Sequence, residues 1–256
     1  MLHNRDVSLT PNGSSKLEIH KPKPVHNWRE LASEVGVVVV GITIALSAEQ
    51  FLERLEWHHK ISRAEEQMRL EMSGDDGPEV LQRVALADCV DHGLAEIRAS
   101  VERADDRAAV VAAIGQVDIP RHTYESDAYR AAEASGVLAR LDPQRLDRWN
   151  YLYSTMPVLD RIAEREYFDS AALHAVRNSG GPLSEAEQLK LLEVVESLRR
   201  DNLDIVREAV QAAQGLKEQA VVLDRTRVRQ MMDEMTRGAA FQPCAGKLKT
   251  LIGYEP

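Results

Sequence analysis

Two groups of residues in the sequence have the spacing of metal ligands. Glu56 and His59 form an E-x-x-H pair, by which one helix can offer two ligands to a carboxylate-bridged di-iron site. Such a site needs a second pair and two further glutamates, and the sequence contains no second E-x-x-H. Asp88, His92 and Glu96 follow one another at intervals of four residues, which suits a chelate but equally an exposed polar stripe on one helix face. We therefore predict no metal site and no cofactor.

A third polar group could support hydrolysis. It is the densest polar cluster on a predicted loop and contains His122, Tyr124, Glu125, Ser126 and Asp127. A nucleophilic serine needs a setting such as G-x-S-x-G, which Ser126 lacks, and Ser126 and Asp127 are residue types that begin helices. The phosphate-loop, dinucleotide-binding and H-E-x-x-H motifs are also missing from the sequence. The sequence therefore leans against an enzyme and leaves enzymatic activity as an alternative.

Aromatic residues in the middle of the chain allow two interpretations. They are Trp149, Tyr151, Tyr153, Tyr167 and Phe168. Large apolar residues at helical spacing are typical of a helical core. The alternative is a ligand-binding or enzymatic domain with a pocket near Tyr124, Trp149 and Tyr153.

The elements that would position these residues are helices. Apolar residues recur at intervals of three and four along most of the chain, which predicts an all-α fold. The abundant Ala, Leu, Glu and Arg residues favour helices on intrinsic propensity. We expect helices over residues 28–72, 79–104, 105–114, 124–135, 142–176, 184–223 and 224–237.

Glycines, prolines and capping residues predict the helix boundaries. Residues 73–78 contain two glycines and a proline and should end the first helix. Pro157 should kink the helix that begins at Asp142 and Pro143. Ser184 and Glu187 have the spacing of a capping box. Residues 238–256 are expected to be an irregular tail.

The stretch from Trp28 to Trp57 is the most distinctive part of the sequence. Its middle, residues 35–48, is the one long charge-free apolar run. The run rises about 21 Å as a helix, which is short for a hydrocarbon core of about 30 Å, but apolar residues continue beyond a single glutamate at each end. Trp28, Arg29 and Trp57 stand where interfacial residues flank a membrane span. We predict a transmembrane helix whose span includes Val35, Val38, Gly41, Ile44 and Ala48.

A cleaved signal peptide and a buried helix of a soluble protein remain alternatives. Ala45-Leu46-Ser47 is a small-x-small triplet, which makes cleavage before Ala48 conceivable. Against cleavage, more than 30 residues precede the apolar run, and the helical pattern continues through the cleavage position. The retained anchor is the favoured interpretation.

Positive charges near the run predict its orientation, because Lys and Arg concentrate on the cytoplasmic side of a span. Four such residues precede the run and three follow it: Lys16, Lys21, Lys23 and Arg29, then Arg54, Lys60 and Arg63. The bias places the N-terminus in the cytoplasm and the C-terminal domain in the periplasm. A net charge of −9 argues against nucleic acid as a partner. The expected partners are the lipid bilayer and either an unknown protein or a second copy of the chain.

Cys89 and Cys244 are the two cysteines of the chain. In an oxidising periplasm they could close one disulfide. The alternative is a pair of buried free thiols.

The anchor also carries a family resemblance. The pattern W-R-E-x₃-E-V-G-V-V-V-V-G-I-T-I-A-L-x-A-E-Q, followed by L-E-W-H-H, resembles uncharacterised bacterial single-pass membrane proteins with an N-terminal G-I-x-I-A-L type anchor and a helical domain of unknown function. Further matching pieces are Cys89 to Leu94, Ala134-Ser135-Gly136 and Leu152-Tyr153. The resemblance implies an inner-membrane protein with an extracytoplasmic helical domain, and it brings no catalytic residues.

These observations predict four segments. Residues 1–26 form a disordered basic cytoplasmic tail, 27–57 an anchor helix, 58–237 an extracytoplasmic helical domain and 238–256 the irregular tail. The predicted function is that of a membrane-tethered interaction or scaffold module.

Overall fold

The computed structural model describes residues 28–103, 106–178 and 180–238, together with residues 240, 241, 244, 246, 247, 249 and 250. The predicted N-terminal tail lies outside the described residues. All regular elements among these residues are helical, as the apolar periodicity predicts. The α-helices in chain order are α1 (Trp28–Glu71), α2 (Gly77–Glu102), α3 (Arg107–Ile114), α4 (Asp127–Ala134), α5 (Pro143–Tyr153), α6 (Met156–Ala175), α7 (Glu185–Glu218) and α8 (Arg225–Arg237).

The chain divides into two compact units, Met1–Arg54 and Leu55–Pro256. The first contains the apolar run, whose large side chains are exposed. The second contains the helical bundle, in which α2 and α6 both pack against α7.

The bundle has two hydrophobic cores. The first lies among α2, α3, α7 and α8 and includes Leu94, Ile97, Leu198 and Met231. The second lies among the end of α1, α5, α6 and α7 and includes Met68, Trp149, Leu159 and Ile205. Helix α7 contributes to both cores because it presents apolar residues every three or four positions along 34 residues.

The first α-helix ends at Glu71, within one residue of the predicted end, but residues 73–78 do not interrupt the helical path, so the predicted break there was wrong. Residues 73–76 lie in a π turn, Met72–Asp76, and Gly77 and Pro78 begin α2. Pro78 has no N–H to donate and its ring would crowd the carbonyl group four residues earlier, and a π turn removes that α-helical hydrogen bond. Gly77 closes the turn by donating its N–H to the carbonyl oxygen of Met72.

The effect of Pro157 also differs from the prediction. Pro157 lies in the first turn of α6, and Ser154 and Thr155 separate α5 from α6. A proline is tolerated at a helix start, where its missing N–H has no partner to lose. The chain therefore has two helices where one kinked helix was expected.

Several predicted capping residues are confirmed. Asp142 accepts hydrogen bonds from the backbone N–H groups of Gln144 and Arg145. Ser184 and Glu187 form the capping box at the start of α7. The tail differs from the prediction, because the described residues 244, 246, 247, 249 and 250 are helical.

The start of helix α4 is held by a hydrogen bond to a residue of another helix. The predicted cap, Ser126, makes no side-chain capping bond. Instead the carboxylate of Glu71, at the end of α1, accepts a hydrogen bond from the N–H of Ala128 at 3.0 Å and one from the hydroxyl of Tyr153 at 2.6 Å. Asp76 accepts from the N–H of Glu125 at 3.1 Å. These acceptors hold the end of the connector, residues 115–126, against the π turn.

Candidate functional site

Helix α1 carries the candidate membrane segment. It is long and apolar enough to cross a membrane, and none of its apolar window is buried within the protein. The predicted span residues Val35, Val38 and Ile44 are exposed, as is Ala48, and no neighbour lies within 4 Å of a Cβ placed on Gly41. A stripe of this length exposed to water is unfavourable.

Polar groups in and beside this segment have partners. The hydroxyl of Thr43 donates to the carbonyl oxygen of Val39 at 2.8 Å, so it needs no water inside an apolar phase. Arg29 lies 6.0 Å from the ring centroid of Trp28. In the second unit, Trp57 is half-buried between the cations of Lys60 and Arg140, each 4.8 Å from its ring. The interfacial role of these residues stays a prediction.

Cys89 and Cys244 are joined by a disulfide in the structure. Their Cα atoms are 6.3 Å apart, within the usual range for such a bond. The bond links the middle of α2 to the C-terminal tail. Lys247, three residues later, bonds Asp88 on the same part of α2.

The residues with metal-ligand spacing are placed on two separate helices, α1 and α2. Glu56 pairs with Lys60 at 2.7 Å. Asp88, His92 and Glu96 are exposed on α2, as expected for a polar stripe. Within the described parts of the chain, no group of three or more His, Cys, Asp or Glu side chains is arranged to hold a metal ion.

A cluster of polar side chains is buried where α2, the connector and α6 meet. Arg83 of α2 forms an ion pair with Glu166 of α6, and their side chains are 1% and 3% exposed. Burial raises the pKa of Glu166 to about 7, although the Arg83 guanidinium opposes that rise. Burial also raises the pKa of Tyr124, which lies near the same charges. Sequence reasoning missed this pair, because no spacing links residues 83 positions apart.

His122 belongs to the same region and has one satisfied ring nitrogen. Its Nδ1 lies 3.3 Å from Oε2 of Glu79, whose other carboxylate oxygen accepts from Arg227 at 3.1 Å. A carboxylate only accepts hydrogen bonds, so Nδ1 of His122 carries a hydrogen and donates it to Glu79. Nε2 has no hydrogen-bond partner among the described residues, and neither has the hydroxyl of Tyr124.

Two pockets adjoin these features. One, of about 270 Å³, lies between the connector and α6 and is lined in part by His122. The other is a groove of about 1020 Å³ between the end of α1 and α4. Glu56, Glu125 and Asp127 line the groove. The structure therefore does not keep the polar cluster predicted around His122 together: His122 lines the smaller pocket, and Glu125 and Asp127 line the groove.

The three aromatic residues of the alternative interpretation lie in the second core. Tyr124, Trp149 and Tyr153 are buried there, and neither of these two pockets is lined by them. Tyr167 and Phe168 are instead exposed and line the smaller pocket. The helical spacing of Tyr167 and Phe168 fits a buried core as well as an exposed surface, so the sequence did not predict their exposure.

Comparison of the chain with known protein families, curated proteins and solved structures finds no match. The resemblance carried by the anchor pattern therefore remains a prediction, and the functional argument depends on the geometry of the chain itself.

Proposed function

We propose that this protein is anchored in the inner membrane by one helix and presents its helical bundle in the periplasm as an interaction module. The exposure of the apolar residues of α1 is the observation that carries the proposal. Moving residues such as Val38 and Ile44 into lipid removes their contact with water, and each contributes about −0.3 to −0.6 kcal/mol to insertion. The bond between Cys89 and Cys244 supports an oxidising compartment for the bundle.

Topology and retention of the anchor can be tested together. A reporter that is active only outside the cytoplasm is fused to the C-terminus, cells are fractionated, and the mass of the chain is measured. A full-length, membrane-bound chain with an active reporter is the expected result. A shortened soluble product would identify a cleaved signal peptide, and an inactive reporter on a membrane-bound chain would reverse the orientation.

The groove between α1 and α4 supports interaction with a protein segment. Its lining combines small apolar residues of α4, such as Ala128 and Ala131, with charges of both signs on its rim, including Lys60 and Arg63. An amphipathic helix with a narrow apolar face and mixed charges would complement such a groove. We therefore name an amphipathic helical segment of a partner protein as the occupant.

Site-specific photo-crosslinking in cells tests this occupant. A photoreactive residue at Leu70, which lines the groove, should give a discrete adduct that Ala131→Asp abolishes. The same residue at Leu203, an exposed apolar position on α7, serves as the control and should not give that adduct. Equal adducts at both positions, or an adduct insensitive to Ala131→Asp, would rule out the groove as the interface.

A second candidate function, binding of a small ligand, is favoured by the pocket beside His122. The buried His122 side chain and the exposed aromatic residues of α6 converge on that pocket. This candidate keeps the ligand-binding alternative but moves its position away from Tyr124, Trp149 and Tyr153.

A further inference from the structure

The pocket between the connector and α6 combines acidic, aromatic and hydrogen-bonding groups on one small surface. Its volume of about 270 Å³ is slightly below the range of about 300–1,000 Å³ typical of drug-sized ligands. It is therefore suited to a small molecule. The side chains that matter for its chemistry are Arg121, His122, Asp160, Glu164, Tyr167 and Phe168.

Two carboxylates line the pocket from one helix. Asp160 and Glu164 are four residues apart on α6 and therefore lie one turn apart on the same face. Neither forms a salt bridge within the described residues. Arg121 contributes a positive charge to the same lining. The carboxylates of the lining therefore outnumber its guanidinium group by two to one.

The aromatic residues of the next turn provide a surface that already receives a cation. Tyr167 and Phe168 pack edge to face with ring centroids 5.6 Å apart. The guanidinium carbon of Arg121 lies 4.3 Å from the ring centroid of Tyr167, a distance at which the negative face of the ring attracts a positive charge. A ligand cation would find the same attraction.

His122 forms part of the wall of this pocket. Its side chain is 9% exposed, its Nδ1 lies 3.3 Å from Oε2 of Glu79, and its Nε2 is shielded from solvent. The ring therefore shapes the wall, and the other groups of the lining decide the charge of the ligand. The two carboxylates and the aromatic faces both suit a ligand that donates hydrogen bonds and carries positive charge.

We propose that this pocket binds a small organic cation of the amine or guanidine class. The carboxylates of Asp160 and Glu164 hold its charge, and the aromatic faces of Tyr167 and Phe168 pack against it. In the absence of the ligand, Arg121 occupies the Tyr167 face and competes with it. The proposal depends on the small-ligand function named above and not on the membrane topology.

Calorimetric titration of the full chain in an uncharged detergent tests this proposal. The probes are putrescine and methylguanidine, and their neutral counterparts are 1,4-butanediol and N-methylurea. We expect saturable binding of at least one cation and no binding of its neutral counterpart. The variant Asp160→Asn/Glu164→Gln should weaken binding about tenfold or more, because it removes two charge-assisted hydrogen bonds.

A matched control separates the pocket from general attraction to an acidic protein. Glu193→Gln/Asp233→Asn removes the same two charges from exposed positions on α7 and α8 and should leave binding unchanged. Arg121→Gln should strengthen cation binding about threefold or more, since the loss of one nearby positive charge favours a cation in a partly screened site.

Three results would overturn the proposal. They are the lack of saturable binding by either cation, equal weakening by the pocket variant and its matched control, and weaker binding in Arg121→Gln. The last result would indicate an anionic ligand held by Arg121. Circular dichroism and melting curves of each variant establish that it is folded, which is expected because Glu164, Arg121, Glu193 and Asp233 are exposed. A failure here leaves the reporter result for the anchor unaffected.

Discussion

Arg83 and Glu166 form an ion pair across α2 and α6 with both side chains almost completely excluded from solvent. Two of the three guanidinium nitrogens of Arg83, Nε and Nη1, have no hydrogen-bond partner within the described residues. Moving two charged groups out of water costs free energy, whereas the groups of an exposed pair stay hydrated. In the interior, this cost is offset only while each charged group keeps its partner. The pair is therefore a point at which a single substitution has a large effect on stability.

Removal of Arg83 tests the energetic role of this pair. At pH 8, Arg83→Met should lower the free energy of unfolding by about 3–5 kcal/mol, because Glu166 loses its partner and must either stay charged in the interior or take up a proton that the unfolded chain does not bind. At pH 5 the loss should be smaller, because burial raises the pKa of Glu166 to about 7 even beside Arg83, so that the carboxyl group is mostly protonated in both proteins. Thermal and denaturant unfolding of the full chain in detergent measure both values.

The double variant Arg83→Met/Glu166→Leu provides the control for that experiment. It removes both charges and should recover most of the stability lost in Arg83→Met. Arg130→Gln, which breaks the exposed pair with Asp127, should leave the melting temperature unchanged. An Arg83→Met protein as stable as the wild type at pH 8 would contradict a structural role for the pair.

Asp76 makes the stability of the bundle depend on pH. Burial raises its pKa from 3.8 to about 8, and the hydrogen bond from the Glu125 N–H only partly opposes this. Between those values the folded state binds the proton that the unfolded state has released. Stability therefore falls as the pH rises through this window, by at most about 1.4 kcal/mol per pH unit from this group.

The variant Asp76→Asn removes this titration. Its unfolding free energy should decline less steeply than that of the wild type between about pH 4 and pH 8. It should also be the more stable protein at pH 8. Asp75→Asn, at the exposed neighbouring position, should retain the wild-type slope. Parallel pH profiles for Asp76→Asn and the wild type would show that Asp76 ionises normally in the fold.

Gly77 closes the π turn and has no room for a side chain. A Cβ at this position would meet the carbonyl oxygen of Met72 and lie 2.8 Å from Cδ2 of Leu223. Gly77→Ala should therefore lower the unfolding free energy by about 1–3 kcal/mol, as overpacking does. Gly74→Ala is the matched control, since nothing lies within 4 Å of a Cβ there. Equal melting temperatures for the two variants would argue against the π turn.

The disulfide between Cys89 and Cys244 should contribute measurably to stability. Cys89→Ser is expected to lower the free energy of unfolding by about 2–4 kcal/mol, because the open chain has more freedom when unfolded. Reduction of the wild-type chain should have the same effect, and reduction of the variant should have none. The idea fails if the oxidised wild type and Cys89→Ser melt at the same temperature.

The sequence by itself determined the local features of this protein. The apolar periodicity predicted an all-helical chain, and the 14 uncharged residues from Val35 to Ala48 identified the helix whose apolar surface is exposed. The capping residues Asp142 and Ser184 marked helix starts correctly. These signals are readable because each depends on residues within a few positions of one another, where chain geometry fixes which atoms can meet.

Only the tertiary structure decided how distant residues combine. The helical path continues through the π turn at Gly77, where Met72 and Leu223 leave no room for a side chain. The cap of α4 comes from Glu71, which lies 57 residues before its partner Ala128. The pairing of His122 with Glu79 likewise required the connector to pack against α2. Sequence spacing does not encode such contacts, because the path of the chain between them is set by the packing of whole helices.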